Sequence, residues 1–393
     1  MADPECSIRL APPKVDRGTV RLEGWLDTPG APPRHLYFEF TCPDAAQARL
    51  NPRPFVLAFL PVAMRLGLPL RCEHPIDRKG RDQLELWQAC FAAWLPTRLS
   101  KIELRVPTIE PAASRAGRGA ITAFSGGSDS CLAALTYPRD GDKPLAAGLM
   151  IHGFDIPCDD PGFEGAWENS RDLLTAYGLQ AYRLRTNIRE PRRPRICWER
   201  ESHGIWLAAA LACLEPWFDA LVIPSSYPTR RPRIPYGSNQ LTDPLLGTAS
   251  APVIHQAEEL RRAEKFARLA RDPHACGRMR VCFASPRFDR NCGKCFKCVT
   301  TQVLLWSHGV RQPGAFPVRA TCEDIRRTQV EDRDAVRLGA FMREVREAAA
   351  TAGLGDVVSA LDSAIEQAEI AARREERRRR IRNVLLRILG LAR

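Results

Sequence analysis

No apolar run in the chain reaches the roughly 20 residues that a membrane-spanning helix requires. The longest stretches, around Phe55 to Met64 and Gly204 to Leu214, fall short of it. The start, MADPECSIRL, carries acid and no apolar run, so it does not read as a secretory signal. No internal repeat, no HExxH and no Ser-His-Asp set is visible, which leaves zincin-type hydrolysis and triad chemistry without residues to rest on. The spacing of a disulfide scaffold is missing as well. Of the 14 cysteines, most stand singly in apolar or helical contexts, as suits a reducing compartment. A cytoplasmic protein is the expectation.

The body of the chain also lacks a basic character. The formal net charge is +12, but Arg373 to Arg393 holds nine arginines against two glutamates, which is +7 in the last 21 residues and leaves +5 for the rest. Basic charge therefore belongs to the tail and does not make the whole protein a nucleic-acid binder. In that tail Ile381, Val384, Leu385 and Ile388 fall at i, i+3, i+4 and i+7, an apolar stripe opposite the arginines. Such a helix can grip RNA or an anionic membrane. A solvated helix packing its stripe on protein is the preferred reading.

A length of 393 residues with 45% hydrophobic content allows two or three domains with real cores. From 18 to about 107, VRLEGWL, HLYFEF and KIELRV read as strands, with helices over Pro54 to Leu66 and Asp82 to Trp94. The polar segment TIEPAASRAGR (108–118) reads as a boundary closing an α+β module. After it strands and helices alternate: AITAF, LAAGLMIH, AYRLRTN, ALVIPSS and APVIHQ, with helices from Ser128, near Phe163 to Tyr177, over Glu201 to Phe218 and over Glu259 to Ala270. That alternation predicts βαβ units and a doubly wound parallel sheet, with ligands beyond the carboxyl ends of the strands. Beyond 321 the pattern is helical: Glu323 to Thr328, Asp332 to Ala350 and Asp356 onward. The expected domains are 1–118, 119–310 and 311–393.

Between the first of these strands and its helix stands SGGSDS, Ser125 to Ser130. Gly126 and Gly127 let backbone N–H groups approach an anion, and the following helix points its positive end at the same place. Ser125, Ser128 and Ser130 add hydroxyls, while Asp129 can orient a loop amide or approach a metal. The Gly-Lys-Ser/Thr of a Walker A loop is absent, which argues against simple γ-phosphate hydrolysis. A second cluster, VCFASPRFDRNCGKCFKCVTTQ, carries Cys282, Cys292, Cys295 and Cys298. Two-residue spacers aim successive thiolates at one centre, and four sulfurs suit structural tetrahedral zinc. An iron–sulfur cluster or free cysteines are the alternatives, with Cys276 and Cys322 as substitutes for Cys282.

SGGSDS resembles the PP-loop of the ATP pyrophosphatase superfamily, whose members bind ATP on a doubly wound sheet, adenylate a carbonyl or carboxylate and release pyrophosphate. With the cysteine knot behind it, the span from about 119 to 310 resembles the 7-cyano-7-deazaguanine synthases of the queuosine pathway. It is similar also to their divergent relatives in bacterial antiphage systems, thought to attach a deazapurine to a protein amine. The resemblance implies a C–N bond-forming ligase that uses ATP, Mg2+ and structural Zn2+, with a carboxylated 7-deazaguanine-type base as substrate and ammonia or a protein amine as acceptor. Ser125, Asp129 and Ser130 would then be catalytic, and Ser125 to Ser130 with His152 and Asp155 would contact ATP. The 118 residues before the loop and the helical end are absent from the plain synthases, and an extra module suits a larger acceptor docked on it. A homodimer is left open.

Further candidates lie on the same expected face. Ser202 and His203 at a helix start, Ser225 and Ser226 after a strand, and Asp243 in SNQLTDPLL are expected to touch substrate, Asp243 reading an N–H edge of the base. Bland readings exist for each: a structural histidine, a capping serine, an Asp-Pro turn. Two other functions compete. A tRNA-thiolating PP-loop enzyme needs a low-pKa cysteine such as Cys131 or Cys158, and a degenerate nucleotide-binding module would only recruit partners.

Overall fold

The computed structural model describes residues 3–110, 118–190, 193–230, 232, 234–282, 284–328 and 335–388, with the backbone alone at 335–340, 375, 379 and 382–388. The chain forms two compact units, Met1–Arg261 and Arg262–Arg393.

The first unit opens with strands β1 (Cys6–Leu10), β2 (Lys14–Asp16), β3 (Thr19–Thr28) and β4 (Ala31–Thr41). Helix α1 (Arg53–Leu66), β5 (Leu70–Cys72), β6 (Ile76–Asp77), α2 (Arg78–Trp94), β7 (Leu104–Arg105) and β8 (Thr108–Ile109) follow. Then come β9 (Ala120–Ala123), α3 (Ser128–Thr136), β10 (Leu145–His152), α4 (Gly162–Ala176) and β11 (Gln180–Thr186). Helix α5 (His203–Ala212), β12 (Ala220–Pro224) and β13 (Val253–Gln256) complete it. Among the described residues one sheet of 11 strands runs β13-β12-β9-β10-β11-β4-β3-β1-β5-β7, with β2 on β3. β9 to β13 pair in parallel, and β4 joins β11 antiparallel, Phe40 opposite Leu184 and Glu39 opposite Arg185.

Sequence explains both kinds of strand. β9 is apolar except for Thr122 and is buried at every position, as a strand covered on both faces must be. β3 alternates: Val20, Leu22 and Leu26 point inward, and Arg21, Glu23 and Trp25 lie between them. α1 starts at Pro54 in its first turn and stops at Gly67, whose φ of 69° is the left-handed C-cap. Nearly all of α1 is buried, so its partner must be protein on several sides. Trp206 Nε1 on α5 donates to the Ala58 carbonyl at 3.1 Å, and Asn51 Nδ2 donates to the Ala212 carbonyl at 2.9 Å. Arg53, 4% exposed, pairs with Glu215 and donates to the Leu246 carbonyl.

These contacts correct the expected boundary at 118. Residues before it share a sheet and a core with the parallel strands instead of forming a separate module, and 111–117 lie outside the described residues. KIELRV contributes only Leu104–Arg105 to a strand. The helix expected over Glu201 to Phe218 is shorter, entered through a π-helical turn at Trp198–Ser202.

The second unit is helical: α6 (Arg262–Leu269), α7 (Pro273–Arg278), α8 (Phe296–Ser307), α9 (Cys322–Arg326), α10 (Ala335–Thr351) and α11 (Gly355–Ile388). It therefore contains the cysteine knot, which the expected 119–310 domain had grouped with the glycine loop. Of the tail's apolar stripe, Ile381 is exposed, and the side chains of Val384, Leu385 and Ile388 lie outside the described residues. No described helix is long and apolar enough to cross a membrane.

Because Arg53 is buried against Glu215, Arg53→Ala leaves a carboxylate without its cation. We expect the unfolding free energy in urea to fall by about 3–5 kcal/mol, the usual cost of breaking a buried pair; an unchanged midpoint would show that the pair contributes nothing.

Candidate functional site

In the parallel part of the sheet the order is β11-β10-β9-β12-β13, so the chain reverses direction of growth between β9 and β12. The crevice at such a reversal, at the carboxyl ends of the strands, is where open α/β sheets take ligands. SGGSDS leaves β9 at that point. Gly126 has φ 73°, a conformation that disfavours any side chain, and it turns the strand into α3. No side chain caps α3 at Gly127. The loop is braced from inside: Ser130 Oγ donates to the Gly127 carbonyl at 3.0 Å and accepts the Ser125 N–H at 3.3 Å. The Gly127 N–H donates to Ser125 Oγ at 3.3 Å. Ser130 thus works on the loop's shape. Ser125, Gly127 and Asp129 are partly exposed, while Gly126 and Ser128 are buried.

Two further candidates, His203 and Ser226, meet at Tyr236, which lies on the loop between β12 and β13. The Tyr236 hydroxyl meets His203 Nδ1 at 3.0 Å and Ser226 bonds the same phenol. Burial pushes the phenol's pKa up, with the charges of Tyr227, Glu199 and Asp129 adding to the effect. A phenol that keeps its proton donates to His203 Nδ1, which requires a neutral ring. Burial holds the His203 pKa down at about 4, against the pull of Asp243 and Asp155.

Asp243 does not read a substrate edge. It is fully buried; its carboxylate accepts from Ser238 Oγ at 2.7 Å and the Asn239 N–H at 3.3 Å, and contacts His255 Nδ1 at 2.9 Å. A Cβ at Gly204 would overlap it. The start of α5 is not an open anion cradle either. The Gly204 N–H donates to the Gly237 carbonyl at 2.7 Å, and a Cβ on Gly237 would come within 2.6 Å of the His203 nitrogen. The loop thus lies directly over residues 202–204. Ser202 Oγ is buried there with no hydrogen-bond partner among the described residues. Ser225 Oγ donates to the Tyr227 carbonyl at 2.8 Å and shapes the same loop.

Beyond β10, His152 is likewise structural: its Nε2 donates to the Pro157 carbonyl at 2.7 Å and its ring stacks on Phe163 at 4.1 Å. Gly153, at φ 101°, sits where a Cβ would strike the Thr186 carbonyl, so the turn presses on the end of β11. Asp155 is more than half exposed, its Oδ1 3.9 Å from Arg189 Nη1. Arg189 in turn lies 4.2 Å over the ring of Trp198, which packs on His203 at 4.6 Å. Sequence reasoning missed Arg189, Trp198 and Tyr236; none belongs to a motif, and only their convergence marks them. The thiols a sulfur carrier would need are unsuited: Cys131 is buried, and burial pushes Cys158 up while its Sγ donates to the Thr186 carbonyl at 2.6 Å.

In the second unit Cys282, Cys292, Cys295 and Cys298 converge, their sulfurs all within 4.8 Å of one another. Cys282 and Cys295 are 3.7 Å apart, Cys292 and Cys298 3.9 Å. Zinc–sulfur bonds of about 2.3 Å place tetrahedral sulfurs about 3.8 Å apart, so this set can hold zinc; a disulfide would need about 2.05 Å. Neither Cys276 nor Cys322 belongs to it. Cys295 is the N-cap of α8 and Cys298 lies in its first turn, so the helix's positive end faces two of the four sulfurs. Asn291 fixes the knuckle, accepting the N–H groups of Val281 and Cys282 at 2.9 and 3.1 Å and donating to the carbonyls of Met279 and Ala315.

In comparisons with family models, curated proteins and solved structures, none matches the chain.

The neutral ring of His203 gives a pH dependence with a definite sign. Its folded pKa of about 4 lies below the ordinary value of 6.5, so between them the unfolded chain binds the extra proton. Stability is complete above pH 6.5 and falls as pH drops toward about 4, by up to about 1.4 kcal/mol per unit. Denaturant unfolding at about pH 7 and about pH 5 should differ less in His203→Gln than in the native chain; equal differences would sink the assignment.

Proposed function

We propose that the chain is an ATP-dependent, C–N bond-forming enzyme that activates a carboxylate on a 7-deazaguanine-type base. The observation that carries this reading is the glycine loop leaving β9 where the strand order reverses, followed at once by the uncapped start of α3. In this proposal a carboxylate oxygen attacks the α-phosphorus of ATP, the bond to the bridging oxygen breaks, and pyrophosphate leaves. An amine nitrogen then attacks the acyl carbon, AMP departs with its oxygen, and the amine gives up a proton. The loop N–H groups and the dipole of α3 would hold phosphate oxygens, and holding the reactants in line supplies most of the acceleration. Asp129 would hold Mg2+, which neutralises phosphate charge when bound.

The two thiols considered for sulfur transfer favour this reading over it, since Cys131 is buried and burial pushes Cys158 up. In the second unit we propose zinc for the four-cysteine site: a single ion fits sulfurs 3.7 and 3.9 Å apart, whereas an iron–sulfur cluster interposes several atoms and spreads its cysteines.

Purified protein with ATP, magnesium and 7-carboxy-7-deazaguanine should release AMP and pyrophosphate in step with the base, and product mass with and without ammonia identifies the acceptor. Asp129→Ala should lower the rate at least about 100-fold while melting as the native chain does. Absence of base-dependent AMP would remove the reading. Separately, Cys295→Ser should lose zinc by elemental analysis and lower the melting temperature; a metal-free, equally stable variant would contradict a structural role.

A further inference from the structure

Helix α11 is packed over its first turns and bare beyond them. Ala360, Leu361, Ala364 and Ala368 are buried, and two ion pairs tie the same stretch to α10: Arg346 with Asp362 at 2.9 Å and Arg343 with Glu369 at 2.7 Å. From Glu369 to Ile381 no described side chain is buried, although the helix runs on to Ile388. The stretch beyond Ala368 is about 30 Å long. Helices in proteins owe most of their stability to a packed face, and one without it is marginal in water.

The exposed side chains have a definite chemistry. Residues 373–382 hold seven arginines against two glutamates. Arg380 pairs with Glu376 at 2.6 Å, whereas Arg373, Arg374 and Arg377 are exposed and have no ion-pair or hydrogen-bond partner among the described residues. Ile370, Arg374, Arg377 and Ile381 fall at i, i+4, i+7 and i+11, a single line along the helix. Ile370 is 43% and Ile381 51% exposed. The register sets that line apart from the positions of Ala364 and Ala368 and of both glutamates, and the sequence puts Val384 and Ile388 at its next positions. Arg374 and Arg377 thus share the side of Ile381, which corrects the stripe expected to stand opposite the arginines.

This combination selects among occupants. A second copy of the helix would bring two segments of net charge +5 together, which like-charge repulsion opposes. Nucleic acid phosphates match guanidinium groups but leave Ile370 and Ile381 in water. An anionic bilayer uses both: headgroup phosphates meet the arginines, the acyl boundary takes the isoleucines, and the long arginine stems lie along apolar surface with their heads in the polar layer. Clusters of about four to eight basic residues on such a helix are the pattern of anionic-lipid recognition.

We propose that the distal half of α11 docks on an anionic lipid bilayer, lying in the headgroup layer with its arginines on lipid phosphates and Ile381 turned toward the acyl chains. The contact is peripheral, since no described helix is long and apolar enough to cross a membrane. It rests on α11 alone and is independent of the activity proposed above.

The test is cosedimentation of the full chain with vesicles of equal parts phosphatidylcholine and phosphatidylglycerol, against vesicles of phosphatidylcholine alone. The native chain should pellet with the mixed vesicles only. Arg374→Gln with Arg377→Gln should weaken that binding about twenty-five-fold, about fivefold for each arginine. Ile381→Ser should weaken it about tenfold, the loss of one apolar side chain from the acyl boundary. All three positions are exposed, so both variants should melt as the native chain does. Native chain left in the supernatant overturns the proposal, as does either variant binding as tightly as the native chain. If the chain binds a mixed-sequence DNA duplex more tightly than the vesicles, and Ile381→Ser leaves that affinity unchanged, the partner is nucleic acid and the proposal falls.

Discussion

Antiparallel pairing of β4 on β11 is the constraint on which the first unit depends. Without it the parallel sheet would end at β11, leaving a row of unpaired backbone groups beside the exposed Arg183 and Arg185. β4 covers that edge, and Asn187 continues the join one residue past it with a side-chain amide. Once β4 is fixed, α1 is carried against α5, where Trp206, Asn51 and Arg53 find their partners. Arg98 then reaches the fully buried Glu201, which also accepts the Cys197 N–H at 2.7 Å. One strand pairing therefore positions the π-helical turn, and with it Trp198, after the carboxyl end of β11.

The polar groups at that end divide into two populations. Asp243, His255, Ser238 and Asn239 are buried and satisfy one another, so they hold the β12–β13 loop over α5 at little cost in unmet hydrogen bonds. Asp129, Asp155 and Arg189 remain in reach of solvent. Between the two lie His203 and Tyr236, whose pKa values burial moves in opposite directions, each toward its neutral form. A neutral hydrogen-bonded pair can support a charged rim without adding charge to it.

Local patterns in the sequence were enough to read AITAF, LAAGLMIH and AYRLRTN as strands and the end of the chain as helical, because alternation, apolar runs and helical periodicity are short-range. Convergence of the four cysteines was legible from their spacing. The joining of β4 to β11 was not: its partners stand about 145 residues apart, and an alternating strand says which face is buried without naming its neighbour. His152 and Asp243 misled for a different reason. A histidine after a strand and an Asp-Pro turn have the same sequence whether the side chain faces a ligand or closes a loop, and only the Pro157 carbonyl and the Ser238 hydroxyl decide it. Arg189 and Trp198 were invisible because no motif contains them, and only the fold lays the guanidinium on the indole and the indole on His203.

One physical device occurs twice in the chain, and the difference between its two uses is informative. At α8 a helix start faces sulfur ligands that the chain itself provides, those of Cys295 and Cys298, with the Cys295 N–H on Cys292 Sγ at 3.3 Å. At α3 the approach is a glycine with a left-handed turn, the loop contributes hydroxyls, and Asp129 is the one acidic side chain of the first turn. A helix start that brings its own sulfur ligands closes a centre on itself. The start of α3, approached by glycine and framed by serine, has no such ligand set, and it stands where the strand order reverses.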